Sequence, residues 1–263
     1  MSPSILIAGA TGNTGRSLTE ILPELLKASK TLSSCRVIAL TRSLASPAAQ
    51  QLAKIPGVEF TEESSFHTAA LRAGVKYVVR ISTVGENVRP DCDVYYPLDV
   101  APAECFFPFY LDNAADFIKK YRKTATQEPL SLLAAEDAPV GIIDPAEVGV
   151  FAAHLLALDD FSPHDKAKYI LNGPEDITRR QIVGLIEGYI GTKVENVIYR
   201  DMSFVDAWAP VGQPGRNITL TVKHSLLPAH EGKLTASTTS KEVLEIAAPK
   251  RTPADVLKYL LEE

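Results

Sequence analysis

Two rhythms of apolar residues run along this chain: short unbroken apolar runs, and longer stretches in which Leu, Ile and Val return at helical spacing. Ile5-Leu6-Ile7-Ala8 is of the first kind, and Leu18, Ile21, Leu22 and Leu25 are of the second, which predicts a buried strand followed by a helix from about Gly15 to Ala28. Arg36-Val37-Ile38-Ala39-Leu40 reads as a second buried strand that ends in Thr41-Arg42-Ser43. After Pro56-Gly57 the pattern gives a short third strand, Val58-Glu59-Phe60, then a helix from Glu62 to Ala73 closed by Gly74, then a fourth strand from Val75 to Thr83. Gly85 to Pro102 is irregular, broken by Pro90, Pro97 and Pro102. Leu111 to Tyr121 is an amphipathic helix running into a basic cluster from Lys119 to Lys123, which reads as a solvated helix end.

Strands that feed helices that feed strands predict an α/β protein, a doubly wound parallel sheet covered on both faces, with its ligand at the carboxyl ends of the strands. The second half reads as a smaller α+β lobe. Val140 to Ile143 and Tyr169 to Gly173 are strand-like, and Asp144-Pro145 opens a helix through Val150, Ala153, His154 and Leu156. Thr178 caps a helix from Arg179 to Tyr189, Val194 to Tyr199 is extended, and Thr252-Pro253-Ala254-Asp255 starts a closing helix to Leu261. Pro210 to Arg216 reads as a loop. The expected organisation is a core in residues 1–139 and a C-terminal lobe in 140–263 whose elements interleave with it.

The turn after the first strand carries the chemistry. Gly9-Ala10-Thr11-Gly12-Asn13-Thr14-Gly15-Arg16 spaces three glycines three apart between a strand and a helix. A pyrophosphate must approach the backbone N–H groups at a helix N-terminus, where unpaired donors and the dipole favour an anion. A side chain at Gly9 or Gly12 would stand in the way of the turn or the phosphates, and Gly15 lets the helix lie close to the strand. These eight residues are therefore expected to bind a dinucleotide. An enzyme that prefers NAD usually places Asp or Glu after the second strand, whereas a guanidinium suits the 2′-phosphate of NADP. No acidic residue lies between Arg36 and Gln50. Arg42 is the expected phosphate ligand, with Ser43 donating beside it, and Ser82 and Thr83 end the fourth strand where the cofactor should pass.

Composition narrows the classes. With 263 residues, 46% of them hydrophobic, the chain can bury a large core or a core and a lobe, and its net charge of −5 argues against a nucleic-acid partner. No basic segment precedes an apolar leader, and Ile5 to Ala8 is too short to span a membrane, so the expected location is the cytoplasm, or the nucleus by other means. Cys35, Cys92 and Cys105 are an odd set without CxxC spacing, which indicates neither a disulfide framework nor zinc. His67, His154, His164, His224 and His230 do not fall at metal-ligand spacing, and no metal is expected.

Catalytic residues are not assigned. The one Tyr-x-x-x-Lys, Tyr189 to Lys193, contains the helix breaker Gly191 and sits in the C-terminal lobe, so it is discounted. Tyr95 and Tyr96 have no lysine four residues on and read as loop aromatics. No Gly-x-Ser-x-Gly occurs.

These residues resemble the NmrA-like family, atypical short-chain dehydrogenases/reductases, and its fungal branch in particular. The resemblance rests on Gly9 to Arg16, on Ala39-Leu40-Thr41-Arg42 and on Gly74-Val75-Lys76-Tyr77-Val78-Val79-Arg80-Ile81-Ser82. It extends through Gly141-Ile142-Ile143-Asp144, Glu147-Val148-Gly149-Val150, Leu171 to Thr178 and the C-terminal helix. The resemblance implies a Rossmann domain that binds NADP and a C-terminal lobe forming one wall of a substrate cleft. Two departures stand out. Members carry a strand and a helix where this chain passes directly from Val58-Glu59-Phe60 to Glu62-Glu63-Ser64, and a helix and strand where only a short stretch joins Tyr95-Tyr96-Pro97 to Phe107-Pro108-Phe109-Tyr110. The nicotinamide half of the site is therefore not legible. The family splits between NADPH-dependent reductases, some acting on secondary metabolites, and regulators that sense the NADP to NADPH ratio. The expectation is an NADP(H)-dependent oxidoreductase of a small organic substrate, with a non-catalytic redox sensor that binds a protein partner as the alternative.

Overall fold

In the computed structural model the described residues are 3–41, 43–62, 77–79, 109–208 and 227–262, together with 211, 216, 220 and 223. Their elements run in the order β1 (Ser4–Ile7), α1 (Asn13–Ala28), β2 (Arg36–Thr41), α2 (Pro47–Leu52), β3 (Val58–Glu62), α3 (Phe109–Thr124), β4 (Leu130–Leu132) and α4 (Pro145–Leu156). There follow α5 (Arg179–Ile190), β5 (Val197–Tyr199), α6 (Ser203–Trp208), α7 (Leu227–His230), α8 (Lys241–Ala247) and α9 (Pro253–Glu262). The chain divides into two compact units: Met1–Ile81 with Pro145–Tyr169 and Glu242–Ala248, and Ser82–Asp144 with Ile170–Lys241 and Pro249–Glu263.

In the first unit β1, β2 and β3 form a parallel sheet in chain order, with Ile7 opposite Ala39 and Ala39 opposite Phe60. The register sets the carboxyl ends of β1 and β2 side by side. Leu18, Leu22 and Leu26, one stripe of α1, are buried with Ile7, Val37 and Ala39 and with Ala152 and Ala153 of α4. Each such leucine contributes about 1.5 to 3 kcal/mol of burial. The predicted first helix is present but begins at Asn13, because its first turn is part of the glycine loop. β3 continues to Glu62, so the helix expected to open there does not. The rest of that helix, most of the predicted fourth strand, and the Gly85 to Pro102 stretch lie outside the described residues.

At the far end of α1 a carboxylate ties the chain down. Asp159 accepts from Ser29 Oγ at 2.7 Å, from Thr31 Oγ1 at 2.6 Å and from Thr31 N at 2.9 Å. These donors hold its carboxyl well below the usual carboxylate range, the Thr31 hydroxyl contributing most.

In the second unit α3 packs against α5 and α9. Leu111, Ile118, Leu130, Leu132, Ile182, Ile186 and Leu257 are buried in one cluster. β4 and β5 are a parallel pair with Leu130 opposite Val197 and Leu132 opposite Tyr199. The predicted strand at Val140 to Ile143 is buried, yet among the described residues it makes only an isolated antiparallel bridge from Val140 to Ile177. Its groups are satisfied irregularly instead: Gly141 N donates to Leu234 O at 2.7 Å, and Gly173 N donates to Gly141 O at 2.9 Å. The Tyr169 to Gly173 stretch likewise forms no ladder strand with the described residues. An apolar run reports burial, not pairing.

Candidate functional site

The glycine turn leaves β1 with Gly9 at φ +71°, a left-handed conformation natural to glycine. Gly12 N donates to Gly9 O at 2.9 Å and closes the turn, and Arg16 N donates to Gly12 O at 2.8 Å as the first helical bond of α1. Gly15 is forced by packing. A Cβ there would lie 2.0 Å from Gly9 O and 2.7 Å from Gly9 C, so only glycine lets the first turn of α1 rest on the turn that feeds it. Ala10 and Thr14 are buried beneath, while Thr11 and Gly12 are half-buried and Asn13 is exposed.

The N-cap of α1 is Gly12, in extended conformation at φ −80° and ψ 171°, and no acidic residue occupies the first turn. The first N–H groups of α1 thus receive no carboxylate from its own first turn and no cap from a side chain at the N-cap position. That is the arrangement that accommodates an anion.

Support comes from a helix that the sequence argument did not connect to the site. Ser17 Oγ donates toward Thr14 O at 3.0 Å and Ala146 O at 2.7 Å. Gly149 of α4 lies so close that a Cβ there would be 2.1 Å from Ser17 Oγ and 2.2 Å from Thr14 O. Gly149 therefore lets α4 press on the first turn of α1 from behind. The signal for it in the sequence is a glycine within an otherwise helical pattern.

The β2 end lies beside this turn. Thr41 is buried, Ser43 N donates to Thr41 Oγ1 at 3.3 Å, and Ser43 is exposed. Ser46 then caps α2 by accepting from Ala49 N at 3.2 Å. Of the residues expected at the site, Gly9 to Arg16 and Ser43 fall together at the carboxyl ends of β1 and β2. Arg42, Ser82 and Thr83 lie outside the described residues.

Tyr189 and Lys193 do not form a catalytic pair. Gly191 ends α5 at φ +74°, Lys193 Nζ donates to Glu187 at 2.6 Å, and the Arg122 guanidinium stands 5.7 Å from the centre of the Tyr189 ring. His164 Nδ1 and Tyr169 O–H share a 2.6 Å hydrogen bond, and burial holds the Tyr169 hydroxyl above its ordinary range. Among the described residues no group of His, Cys, Asp and Glu is arranged to hold a metal ion, and no helix is long and apolar enough to cross a membrane. The second unit contains a cavity of about 580 Å³ lined by Asn113, Phe117, Lys120, Leu130 and Asp201 among others; it shares no residue with the glycine turn.

The chain is similar to the crystal structure of a NADPH-dependent quinone oxidoreductase from Escherichia coli, at 18% identity and a TM-score of 0.66, over 97% of this chain and 98% of that one. The fold is Rossmann-type. The same enzyme complexed with NADPH matches at 20% identity and a TM-score of 0.61, over 97% of this chain and 99% of that one. No family model and no curated protein matches the chain.

Proposed function

We propose that this Rossmann protein is an NADP(H)-dependent oxidoreductase acting on a small organic substrate, of the NmrA-like kind and its fungal branch. The observation that carries the reading is the turn from Gly9 to Gly15, in which the N-cap brings no side chain and Gly15 packs on the Gly9 carbonyl. The residues present fit a dinucleotide: the turn opens a helix whose N-cap has no side chain and whose first turn has no acid to repel a pyrophosphate, and the β2 end beside it bears no carboxylate to reject a 2′-phosphate. Likeness to an enzyme whose structure includes NADPH supports the same reading. Bound NADPH would supply a hydride. Gly9 to Gly15 would hold the pyrophosphate, with Arg16 beside them also on the cofactor; Arg42 and Ser43 would hold the 2′-phosphate, and Ser82 and Thr83 would flank the cofactor. Residues 1–139 carry the cofactor and 140–263 supply substrate-lobe elements, α4 among them bracing the cofactor turn. The working compartment is the cytoplasm, with entry to the nucleus open to it.

The second reading is a non-catalytic sensor of the NADP to NADPH ratio that signals to a protein partner. What favours it is the fate of Tyr189 and Lys193, which are spent on a cation–π contact and an ion pair. NADPH consumption in the presence of quinones, enones, ketones and imines separates the two: an enzyme oxidises NADPH with at least one class, whereas a sensor binds both redox forms and consumes neither. Removal of Arg42 tests cofactor choice. Arg42→Ala is expected to weaken NADPH binding by roughly 1.5 to 3 kcal/mol while leaving NADH almost unchanged. Equal losses for the two cofactors would withdraw the NADP preference.

A further inference from the structure

Resting on the NADP(H) reading above, we propose that Arg16 is a second cation for the adenosine 2′-phosphate, borne on α1 and held ready by Gln51 of α2. β1, β2 and β3 are neighbours in chain order in one parallel sheet. Right-handed crossovers then set α1 and α2 side by side on one face, over β2. The mouth of the gap between the two helices lies at the carboxyl end of β2, where the ribose of a dinucleotide seated on the glycine turn is read. Arg16 spans this gap. Its Nη2 donates to Gln51 Oε1 at 3.0 Å, and its Nε donates to Glu20 at 3.1 Å. Arg16 stands three residues into α1 and Gln51 four residues into α2, which puts the bridge about 4.5 to 6 Å below the helix starts along their axes. An arginine side chain covers that distance by changing rotamer.

The present partners suit a group in waiting. The Arg16 side chain is 43% exposed, and its five N–H donors leave capacity beyond the two bonds to Glu20 and Gln51. Gln51 is neutral, so it orients the guanidinium without cancelling its charge. The pair with Glu20 is an exposed i,i+4 contact, a weak kind of ion pair, whereas a guanidinium on a phosphate makes stronger charge-assisted bonds. A 2′-phosphate at the mouth of the gap draws Arg16 upward, and NAD, with a hydroxyl there, does not.

The test is calorimetric titration of the full chain with adenosine 2′,5′-bisphosphate and with adenosine 5′-monophosphate, for wild type, Arg16→Ala, Arg16→Lys and Gln51→Ala. Arg16→Ala is expected to weaken the bisphosphate about five- to twentyfold and to change the monophosphate less than about twofold. Arg16→Lys recovers part of the loss, and Gln51→Ala weakens the bisphosphate alone by about twofold. Equal losses for both nucleotides would show that Arg16 braces the turn, and no loss for either would show that it is a surface residue; each overturns the inference. A wild-type protein that binds both equally overturns the NADP reading itself, before any variant is made. Should Arg16→Ala fail to fold, Arg16→Gln is read by the same criterion.

Discussion

The N-termini of α1 and α5 are built in opposite ways. At α5, Thr178 Oγ1 accepts from Gln181 N at 3.2 Å and the Gln181 side chain accepts from Thr178 N at 2.7 Å, so the helix closes its own start. At α1 the N-cap is a glycine and the first turn contains no acid. The chain just beyond the other end of α1 follows the closed pattern, with Asp159 collecting the Lys30 and Thr31 N–H groups and the Ser29 and Thr31 hydroxyls. A helix start that only has to be stable recruits side-chain acceptors for its orphan donors, whereas α1 has neither a side chain at its N-cap nor an acid in its first turn. The glycines divide likewise. Gly15 is packed against backbone, whereas an added Cβ at Gly184, inside α5, meets nothing within 4 Å.

The most severe way to break this contrast is Gly15→Val. A side chain 2.0 Å from Gly9 O must push α1 off its turn, and the expected cost is more than about 3 kcal/mol, read as a large drop in Tm or loss of cooperative unfolding. An unaltered melt would mean that the turn does not sit where it is described. Next in size is Thr178→Ala. It opens the start of α5 and is expected to cost about 1 kcal/mol by urea denaturation, with NADPH affinity unchanged. A matching loss of affinity would contradict the assignment of anion binding to α1 alone.

Much of the first unit was legible because local and global signals agree there. The apolar runs of β1 and β2, the helical spacing of Leu18, Ile21, Leu22 and Leu25 and the glycine spacing each predict the same strand, turn and helix; the structure has the strands in register, and buries Leu18, Leu22 and Leu26 of the helix with Ile21 and Leu25 packed at the edge. The capping residues Thr178 and Thr252 also placed α5 and α9 to within a residue at their starts. What was not legible depends on partners distant in sequence. β4 is three residues long and is a strand only because Val197 to Tyr199 lies beside it, and α8 buries just Val243, too little to give a helical period. Val140 to Ile143 was read as a strand from its apolar run, yet its close neighbours are glycines and loop backbone: a Cβ on Gly173 would stand 2.0 Å from Ile142 O. In the site, Gly149 escaped notice because its partner, Ser17, is on another helix.

Smaller effects sharpen the comparison at the closed ends. Asp159 titrates below the ordinary carboxylate range when folded, so its contribution is complete above the unfolded value near pH 4 and is lost as pH falls toward the folded value. The stability difference between wild type and Asp159→Ala is therefore expected at neutral pH and should shrink below about pH 4. A difference that persists undiminished in acid would mean that Asp159 acts through packing and not through its charge. Smallest of all is Gly184→Ala, which fills open space at an exposed position of α5 and should raise stability by about 0.5 kcal/mol in the same urea measurement. A loss there would show that the helix needs the glycine.

The most direct measurement converts the open helix start into a closed one. Gly12 has an extended backbone that any residue adopts, so Gly12→Asp supplies α1 with its own capping carboxylate at no cost in backbone conformation. Its Tm and its NADPH binding curve are to be measured together. The account predicts a Tm equal to or above wild type and a loss of NADPH affinity of at least about a hundredfold, because the new carboxylate occupies the donors and repels the pyrophosphate. A folded Gly12→Asp protein that binds NADPH as tightly as wild type would contradict it.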